Sequence, residues 1–272
     1  MTGEKLRVLA IGAHPDDCDI IMGGTAIKFA DKGHAVKFVS VTNGNAGHYS
    51  LGGDKLAKVR ACEATQAAKT AGIEYEILDA DDGKLEETIE MREKIIAIIR
   101  RYKPDMIFTH RPNDYHPDHR RTSILVQDSS YLVMVPNICP SVECIRYQPL
   151  ILYMFDNFKR PYSFSPNIAL SIDDVIDKKV QMLNCHKSQF YEWLPWVDNE
   201  LDKVPPSEDD RIKWLKAKVE NWGINCADTC RQKLLEVYGR EQGEKIKCAE
   251  AFELSEYGLI VSDEELKKYF YL

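Results

Sequence analysis

Along the first half of the chain, short apolar segments are separated by longer segments that mix apolar and polar residues. Their lengths indicate strands and helices in turn. Four short apolar runs have the length of buried strands: residues 6–11, 35–41, 74–78 and 106–109. Three longer segments between them indicate helices: residues 19–32, 55–71 and 86–102. Gly72 follows the second helix and Pro104 follows the third, as is typical of helix ends. This order predicts an α/β fold, a Rossmann-like, mostly parallel sheet with helices on both faces.

The second half of the chain has a less regular pattern, which predicts an extended C-terminal part. Residues 150–155 and 168–172 indicate two further strands, and three segments indicate helices: residues 173–185, 211–222 and 230–238. Residues 191–206 are rich in aromatic side chains and proline, so we expect a loop region there. We interpret residues 1–272 as a single domain with a core at 5–190 and a C-terminal extension at about 191–272.

Two short motifs that combine histidine with aspartate follow the first and the fourth predicted strands. They are A-H-P-D-D at residues 13–17 and H-P-D-H at residues 116–119. In the common strand order 3-2-1-4 these two strands are neighbours, and ligands bind at their carboxyl ends, where the winding of the sheet reverses. Fold and motifs therefore predict one shared site at this edge of the sheet.

The residue types in the two motifs suit a catalytic metal ion. His14 and Asp17 offer two ligands from one turn and His119 offers a third, which leaves one coordination position open. Asp16 can act as a general base toward water, and His116 can stabilise an oxyanion or protonate a leaving amine. We expect zinc (Zn²⁺), although ferrous iron (Fe²⁺) also suits two histidines and one carboxylate.

Composition and charge narrow the class of protein. The formal net charge of −7 argues against a broad nucleic-acid-binding surface, and no apolar stretch has the length of a membrane span. The first turn lacks the G-x-G-x-x-G fingerprint, which disfavours dinucleotide binding. Residues 1–5 lead into the first strand without a signal-like segment, so we expect a cytoplasmic protein whose eight cysteines are reduced.

Both motifs, together with shorter segments around them, resemble the LmbE/PIG-L-like zinc-dependent N-deacetylases. The shorter segments are T-H-R-P-N-D at 109–114, R-A-C-E-A at 60–64, D-G at 82–83, H-K-S-Q at 186–189 and A-E-A-F at 249–252. The resemblance implies a hydrolase that cleaves the linear amide of an N-acetylglucosamine conjugate. It also implies that zinc is held by His14, Asp17 and His119.

The resemblance assigns roles to five further residues. Asp16 would be the general base, and His116 would stabilise the oxyanion or act as a general acid. Arg60 and Asp82 would contact the sugar or its pendant group, and His186 is a third candidate for substrate binding. The structural alternatives are a surface salt bridge for Arg60, a turn-capping role for Asp82 and a packing role for His186.

Other functions are still open at this point. The same catalytic residues suit another small amide, such as a thiol conjugate. A metal- or sugar-binding protein without catalysis is a second alternative, but binding alone needs neither Asp16 nor His116. The expected partner is a small amino-sugar conjugate, and a homo-oligomer is left open.

Aromatic residues cluster at positions 190–196, in the sequence F-Y-E-W-L-P-W. These rings can stack against a sugar near the site, or they can belong to the core or to a contact between subunits. We favour the second interpretation. His34 and His48 lie outside any motif, and we expect both at the surface.

Overall fold

The computed structural model describes residues 5–270, so the expectation for residues 1–4 lies outside the described part of the chain. The strands are β1 (Arg7–Gly12), β2 (Ala35–Thr42), β3 (Glu74–Ala80), β4 (Met106–Thr109), β5 (Leu150–Met154), β6 (Ile168–Ser171) and β7 (Ala249–Leu254). The first five helices are α1 (Asp17–Asp31), α2 (Gly53–Ala71), α3 (Ile89–Tyr102), α4 (Pro117–Leu132) and α5 (Ile176–Leu183). The later helices are α6 (Leu194–Val197), α7 (Glu208–Thr229), α8 (Arg231–Tyr238), α9 (Arg240–Gly243) and α10 (Asp263–Phe270). Within residues 5–270, no helix has the length and apolar character needed to cross a membrane.

The strands form one sheet in the order β3-β2-β1-β4-β5-β7-β6. β1 to β5 pair in parallel, whereas β7 is antiparallel to both β5 and β6. Val8 of β1 lies beside Met106 of β4, and Ile11 lies beside Thr109. The predicted Rossmann-like, mostly parallel α/β sheet and the order 3-2-1-4 are confirmed. The two strands that precede the motifs therefore end side by side.

Helices cover both faces of the sheet because successive strand residues point to opposite sides. Val8 and Ala10 of β1 pack in one core with α1, α2 and α5, whereas Leu9 and Ile11 pack in another with α3 and α4. All four side chains are fully buried. Burial on both faces explains why β1 is a continuous apolar run rather than an alternating one.

The C-terminal part of the chain contributes to the same sheet. β7 lies between β5 and β6, and α10 packs Leu266 and Phe270 into the core that contains α1. The sequence analysis predicted neither β7 nor α10. Through β7 and α10, the predicted C-terminal extension therefore shares the sheet and the core of the N-terminal part.

Two expectations for this part of the chain are wrong. Residues 191–206 are not simply a loop, because a π-helical turn (Gln189–Trp193), α6 and a 3₁₀ turn (Leu201–Lys203) occur there. Pro195 lies in the first turn of α6, where the missing N–H of proline costs no helical hydrogen bond. α7 is also longer than the predicted 211–222, because the Ser207 side chain caps its N-terminus and the helix continues past residue 222.

A buried hydrogen-bond network holds α1, the helix that begins in the first motif. α1 is interrupted at Met22, whose φ of −132° is not helical. Glu250 on β7 accepts hydrogen bonds from the N–H groups of Gly24 and Thr25, at 2.8 and 2.6 Å. Lys179 on α5 donates to Glu250 at 2.7 Å, and both charged side chains are buried. The network ties the helix of the first motif to β7 and α5.

Glu250→Ala would leave Lys179 buried without its charge partner. We expect the free energy of unfolding to fall by about 3–5 kcal/mol, since an unpaired buried charge is strongly unfavourable. Urea denaturation followed by circular dichroism measures the change. The matched control is Glu208→Ala, which removes an exposed ion pair with Lys187 and should leave the urea midpoint unchanged. Wild-type stability of Glu250→Ala would contradict the role given to the network.

Candidate active site

The first motif forms a tight turn between β1 and α1. The N–H of Asp16 donates to the His14 carbonyl at 2.8 Å, and the N–H of His14 donates to Asp17 Oδ2 at 2.6 Å. A Cβ at Gly12 would lie 2.9 Å from the Cys18 sulfur and 3.1 Å from Asp17 Cβ. Glycine is therefore required for β1 to approach the start of α1 this closely, and the approach places Asp17 beside His14.

Three side chains from the two motifs converge on one point. His14 Nδ1 lies 3.2 Å from His119 Nε2. Asp17 Oδ2 lies 3.3 Å from His14 Nδ1, and Asp17 Oδ1 lies 3.3 Å from His119 Nε2. Ligand atoms of a tetrahedral zinc ion, with bonds of about 2.0–2.1 Å, are about 3.3 Å apart. The donor atoms thus have the spacing and the chemistry of a three-ligand metal site.

Carboxylates lie against the outer ring nitrogens of both histidines. His14 Nε2 is 3.3 Å from Asp118 Oδ2 and 3.2 Å from Asp82 Oδ1. His119 Nδ1 is 3.1 Å from Asp114 Oδ1. Carboxylate–histidine pairs of this kind fix the tautomer and the orientation of a metal ligand. Each histidine therefore directs one ring nitrogen at the convergence point, while its other ring nitrogen contacts a carboxylate.

A second group of side chains around His14 also has metal-ligating chemistry. It consists of His14, Asp82, His116 and Asp118. Asp118 is fully buried and already accepts a hydrogen bond from the N–H of Gly83 at 2.7 Å. Because Asp118 is committed to the backbone and to His14, the first group is the better candidate for a metal centre.

The charges around the convergence point shift the pKa values of its three side chains. Burial lowers the pKa of His119, but the carboxylates of Asp17 and Asp114 outweigh it and raise the pKa to about 9. Burial opposes the charged form of His14 too, yet Asp17 holds its pKa well above the usual value. Burial would raise the pKa of Asp17, but His119 and His14 hold it well below its usual range. The surroundings therefore favour positive charge at this point.

His110, at the end of β4, connects the two motifs. Its ring stacks on His119 with centroids 4.1 Å apart and planes 9° apart. The N–H of Ala13 donates to His110 Nε2 at 3.1 Å. His110 thus packs beneath a candidate ligand and bonds the turn that carries the other two.

Asp16 and Arg60 form a buried ion pair in the wall of the site. Arg60 Nη2 lies 2.9 Å from Asp16 Oδ1, and Arg60 is only 2% exposed. A Cβ at Gly44 would lie 3.1 Å from the guanidinium carbon, and Gly44 also has a φ of +68°, which favours glycine. Arg60 is therefore not the surface salt bridge of the structural alternative but a buried partner of Asp16.

His116 lies at the start of α4, beside the convergence point. Its ring centroid is 4.5 Å from that of His14. His116 Nδ1 accepts a hydrogen bond from the N–H of Asp118 at 3.2 Å, so we assign the proton of the neutral ring to Nε2. Burial, followed by the charges of His14 and His119, lowers the His116 pKa. The neutral ring is thus a hydrogen-bond donor through Nε2.

One cavity of about 380 Å³ brings together seven of the eight predicted site residues: His14, Asp16, Asp17, Arg60, Asp82, His116 and His119. A volume of this order suits a small-molecule ligand. His186 does not line the cavity. It is fully buried, and its Nε2 lies 3.1 Å from Oδ1 of Asp19 on α1. The structure therefore gives His186 a packing position behind the site.

Sequence reasoning missed several residues that shape the cavity. Asp114 and Asp118 stand next to the candidate ligands, so a search for carboxylate partners of metal-binding histidines could have found them. Tyr115 lines the cavity and is 71% exposed. Gln189 and Trp193 line another part of the wall; Gln189 ends the H-K-S-Q segment, and the aromatic composition of residues 190–196 pointed to Trp193, but neither was given a role in the site.

The expectation that His48 lies at the surface is wrong. His48 is 8% exposed, and its Nε2 lies 2.8 Å from Glu192 Oε2. Its Nδ1 accepts hydrogen bonds from the N–H groups of Ser50 and Leu51, at 3.1 and 3.0 Å. The ring is bonded on both sides, which explains its burial without any motif around it.

Comparison with known proteins gives a family match and several similar proteins. The family model described as PIG-L, GlcNAc-PI de-N-acetylase, matches residues 9–129. The chain is 31% identical over 198 residues to diacetylchitobiose deacetylase of Thermococcus kodakarensis, which covers 70% of this chain and 73% of the relative. It is 28% identical over 221 residues to the probable N-acetyl-alpha-D-glucosaminyl L-malate deacetylase 2 of Bacillus cereus, with coverages of 77% and 94%.

The structure of N,N'-diacetylchitobiose deacetylase from Pyrococcus horikoshii, bound to its inhibitor MPG, matches with a TM-score of 0.68 and 26% identity. That match covers 92% of this chain and 84% of the other.

Asp114→Asn keeps a polar group beside His119 but removes its negative charge. We expect zinc affinity to fall by about 10- to 100-fold, because the outer carboxylate orients the ligand and increases its basicity. Competition with a chromophoric chelator measures the affinity. Asp128→Asn, which removes a half-exposed carboxylate from α4, is the matched control and should bind zinc like wild type. Equal zinc affinities for wild type, Asp114→Asn and Asp128→Asn would contradict the supporting role of Asp114 at the metal site.

Zinc affinity should rise with pH between about 6 and 8. The pKa of His119 is raised to about 9 and that of His14 is raised as well, so the metal-free protein holds protons on these rings more tightly than a free histidine does. Zinc must displace these protons, and each one displaced changes the affinity about tenfold per pH unit below its pKa. Chelator competition at several pH values, corrected for the chelator's own protonation, gives the slope. A zinc affinity that does not change with pH would contradict the assignment of His14 and His119 as zinc ligands.

Proposed function

The chain belongs to the PIG-L (LmbE-like) family of de-N-acetylases, and we propose that it is a zinc-dependent hydrolase that removes the acetyl group from an N-acetylglucosamine-type conjugate. The observation that carries the proposal is the convergence of His14, Asp17 and His119: the two ring nitrogens are 3.2 Å apart, and a different Asp17 oxygen lies 3.3 Å from each of them. These three side chains share a cavity with Asp16 and His116, two groups that binding alone would not need.

The residues present fit a zinc ion by charge and by donor type. Five carboxylates surround the histidines and only one buried guanidinium offsets them, so the site is negatively charged and favours a divalent cation: Asp16, Asp17, Asp82, Asp114, Asp118 and Arg60. His14, Asp17 and His119 would hold the ion, which leaves a fourth position open. When bound there, zinc supplies a Lewis acid that polarises the amide and makes water acidic enough to react near neutral pH.

Asp16 has the position of a general base. Its Oδ1 is held by Arg60 Nη2, which leaves Oδ2 to accept the proton of the attacking water. Asp16 then delivers that proton to the amide nitrogen as the C–N bond breaks, so the products are acetate and a free amine. Because Arg60 is buried and its contact is short, the carboxylate is held in one orientation before substrate binds.

His116 has the position and the tautomer of an oxyanion partner. Its Nδ1 is occupied by the N–H of Asp118, and its lowered pKa keeps the ring neutral with a proton on Nε2. A neutral imidazole N–H in this place donates a hydrogen bond to the oxygen of the tetrahedral intermediate. The alternative role of His116, as the acid that protonates the amine, requires a charged ring and is less well supported.

The polar wall of the cavity suits an amino sugar. Arg60, Asp82 and Gln189 offer donors and acceptors for hydroxyl groups, and Tyr115 and Trp193 offer apolar rings. Two of the similar proteins are named as deacetylases of diacetylchitobiose or of a glucosaminyl malate. These names support a substrate of the N-acetylglucosamine class.

Acetate release from N-acetylglucosamine and a panel of its conjugates tests the proposal, with metal content measured on the same sample. We expect release that a chelator abolishes and that added zinc restores. The panel includes a thiol-conjugate amide, so cleavage of that substrate alone would favour the alternative amidase. Full zinc occupancy with no acetate from any member would contradict the proposed function.

Asp16→Asn should keep zinc and lose most turnover, because an amide cannot accept the proton. We expect kcat to fall by about 10²–10⁴-fold, the usual contribution of a positioned acid–base group. Steady-state acetate release and metal analysis measure the two effects separately. Asp81→Asn, which changes a half-exposed aspartate in the turn after β3, is the control and should be fully active. Wild-type turnover in Asp16→Asn would rule out the general-base role.

A further inference from the structure

Four aromatic rings form a continuous series next to the catalytic cavity, which we call the aromatic staircase: Trp193, Trp196, Tyr49 and His48. Trp193 and Trp196 are 5.4 Å apart with planes at 15°, and Trp196 and Tyr49 are 5.7 Å apart with planes at 20°. Tyr49 and His48 are stacked at 4.5 Å and 21°. The staircase thus begins at Trp193 in the cavity wall, passes through the exposed Trp196 and Tyr49, and ends at the buried His48.

The rings at the centre of the staircase are offset, so that part of each face is open. Rings in contact lie about 3.5–4.0 Å apart along their normal. The centroid distances of 5.4 and 5.7 Å therefore require a sideways displacement at each step. Tyr49 is 42% exposed and Trp196 is 47% exposed, so nearly half of the surface of each residue is open to solvent.

The staircase is held rigidly although it joins two distant segments of the chain. His48 Nε2 is paired with Glu192 Oε2 at 2.8 Å, which links the loop after β2 to the π-helical turn before α6. Gln189 Nε2 donates to the Gly47 carbonyl at 3.2 Å, which makes a second link between the same segments. A surface held open by two such links needs little reordering when a ligand binds.

We propose that the aromatic staircase binds the sugar unit next to the one that loses its acetyl group, so that the preferred substrate is at least a disaccharide. This inference rests on the proposed function, and it specifies the substrate class of the same site. Trp193 belongs both to the cavity wall and to the staircase, so a glycan whose acetamide lies at the zinc ligands would continue along Trp196 and Tyr49.

A pyranose ring matches this surface better than a phosphate or a carboxylate does. The C–H groups of a pyranose are weakly positive and apolar, and they complement the negative face of an aromatic ring. A lipid phosphate or a malate carboxylate would need cations, whereas the charged side chain paired with His48 of the staircase is the carboxylate of Glu192, which is 46% exposed. The charge at this rim therefore favours a neutral sugar.

Deacetylation of N,N'-diacetylchitobiose and of N-acetylglucosamine, measured side by side, tests the proposal. We expect wild type to prefer the disaccharide in kcat/KM. Tyr49→Ala and Trp196→Ala should each lower kcat/KM for the disaccharide about five- to tenfold, mainly through KM, and change the monosaccharide less than twofold. Trp196→Phe, which keeps a ring at the same step, should recover most of the preference. Tyr257→Ala removes a ring of similar exposure (55%) that belongs neither to the cavity wall nor to the staircase, and it is the matched control.

Binding of the deacetylated disaccharide to the zinc-loaded protein, measured by calorimetry, separates this inference from the proposed function. If neither sugar releases acetate, the proposed deacetylase function is contradicted. Disaccharide binding that only the staircase variants weaken would still support the aromatic staircase as a sugar-binding surface. Equal losses of kcat/KM for both sugars, or unchanged kcat/KM in every variant, would contradict the role proposed for the aromatic staircase. A changed oligomeric state in light scattering, with an unchanged substrate ratio, would also contradict it and would make the staircase a subunit contact.

Discussion

The geometry of the site depends on the parallel pairing of β1 with β4. In this register both strands end at the same edge of the sheet, where Ile11 lies beside Thr109, and each chain segment then turns into a helix. The two turns carry His14, Asp17 and His119 to within 3.3 Å of one another in a buried position. Burying so many titratable groups is unfavourable unless their charges are balanced. The surrounding carboxylates favour positive charge at this point, supplied by protonated histidines or by a bound cation, so the fold creates the electrostatic conditions that the proposed metal centre requires.

Much of the remaining structure serves to keep this cluster in place. Gly12 allows β1 to approach α1, and Glu250 secures the interrupted α1 from β7. Asp114 and Asp118 hold the outer nitrogens of the two histidines, and Arg60 holds Asp16. These contacts come from segments spread along nearly the whole chain. Precise placement of reacting groups is one of the main sources of enzymatic rate enhancement, so support of this kind is expected around a catalytic centre.

The sequence predicted the features that depend on local patterns. β1 and β4 are continuous apolar runs, and each motif directly follows its strand, so their convergence could be inferred from strand order alone. His186 and His48 show where this reasoning stops. Both are buried by partners that lie far along the chain, Asp19 for one and Glu192 for the other, and no local pattern announces such pairs. β7 was missed for a related reason, because its place between β5 and β6 is decided by tertiary pairing rather than by its own six residues.

The most direct test of this account is the position of the metal in crystals of the zinc-loaded protein, located by anomalous scattering at the zinc edge. The account predicts one strong peak at about 2.0–2.2 Å from His14 Nδ1, from His119 Nε2 and from an Asp17 carboxylate oxygen. A peak on the other side of His14, among Asp82, His116 and Asp118, would contradict the assignment of the ligands. No peak in the cavity at full zinc occupancy of the protein would contradict the metal centre itself.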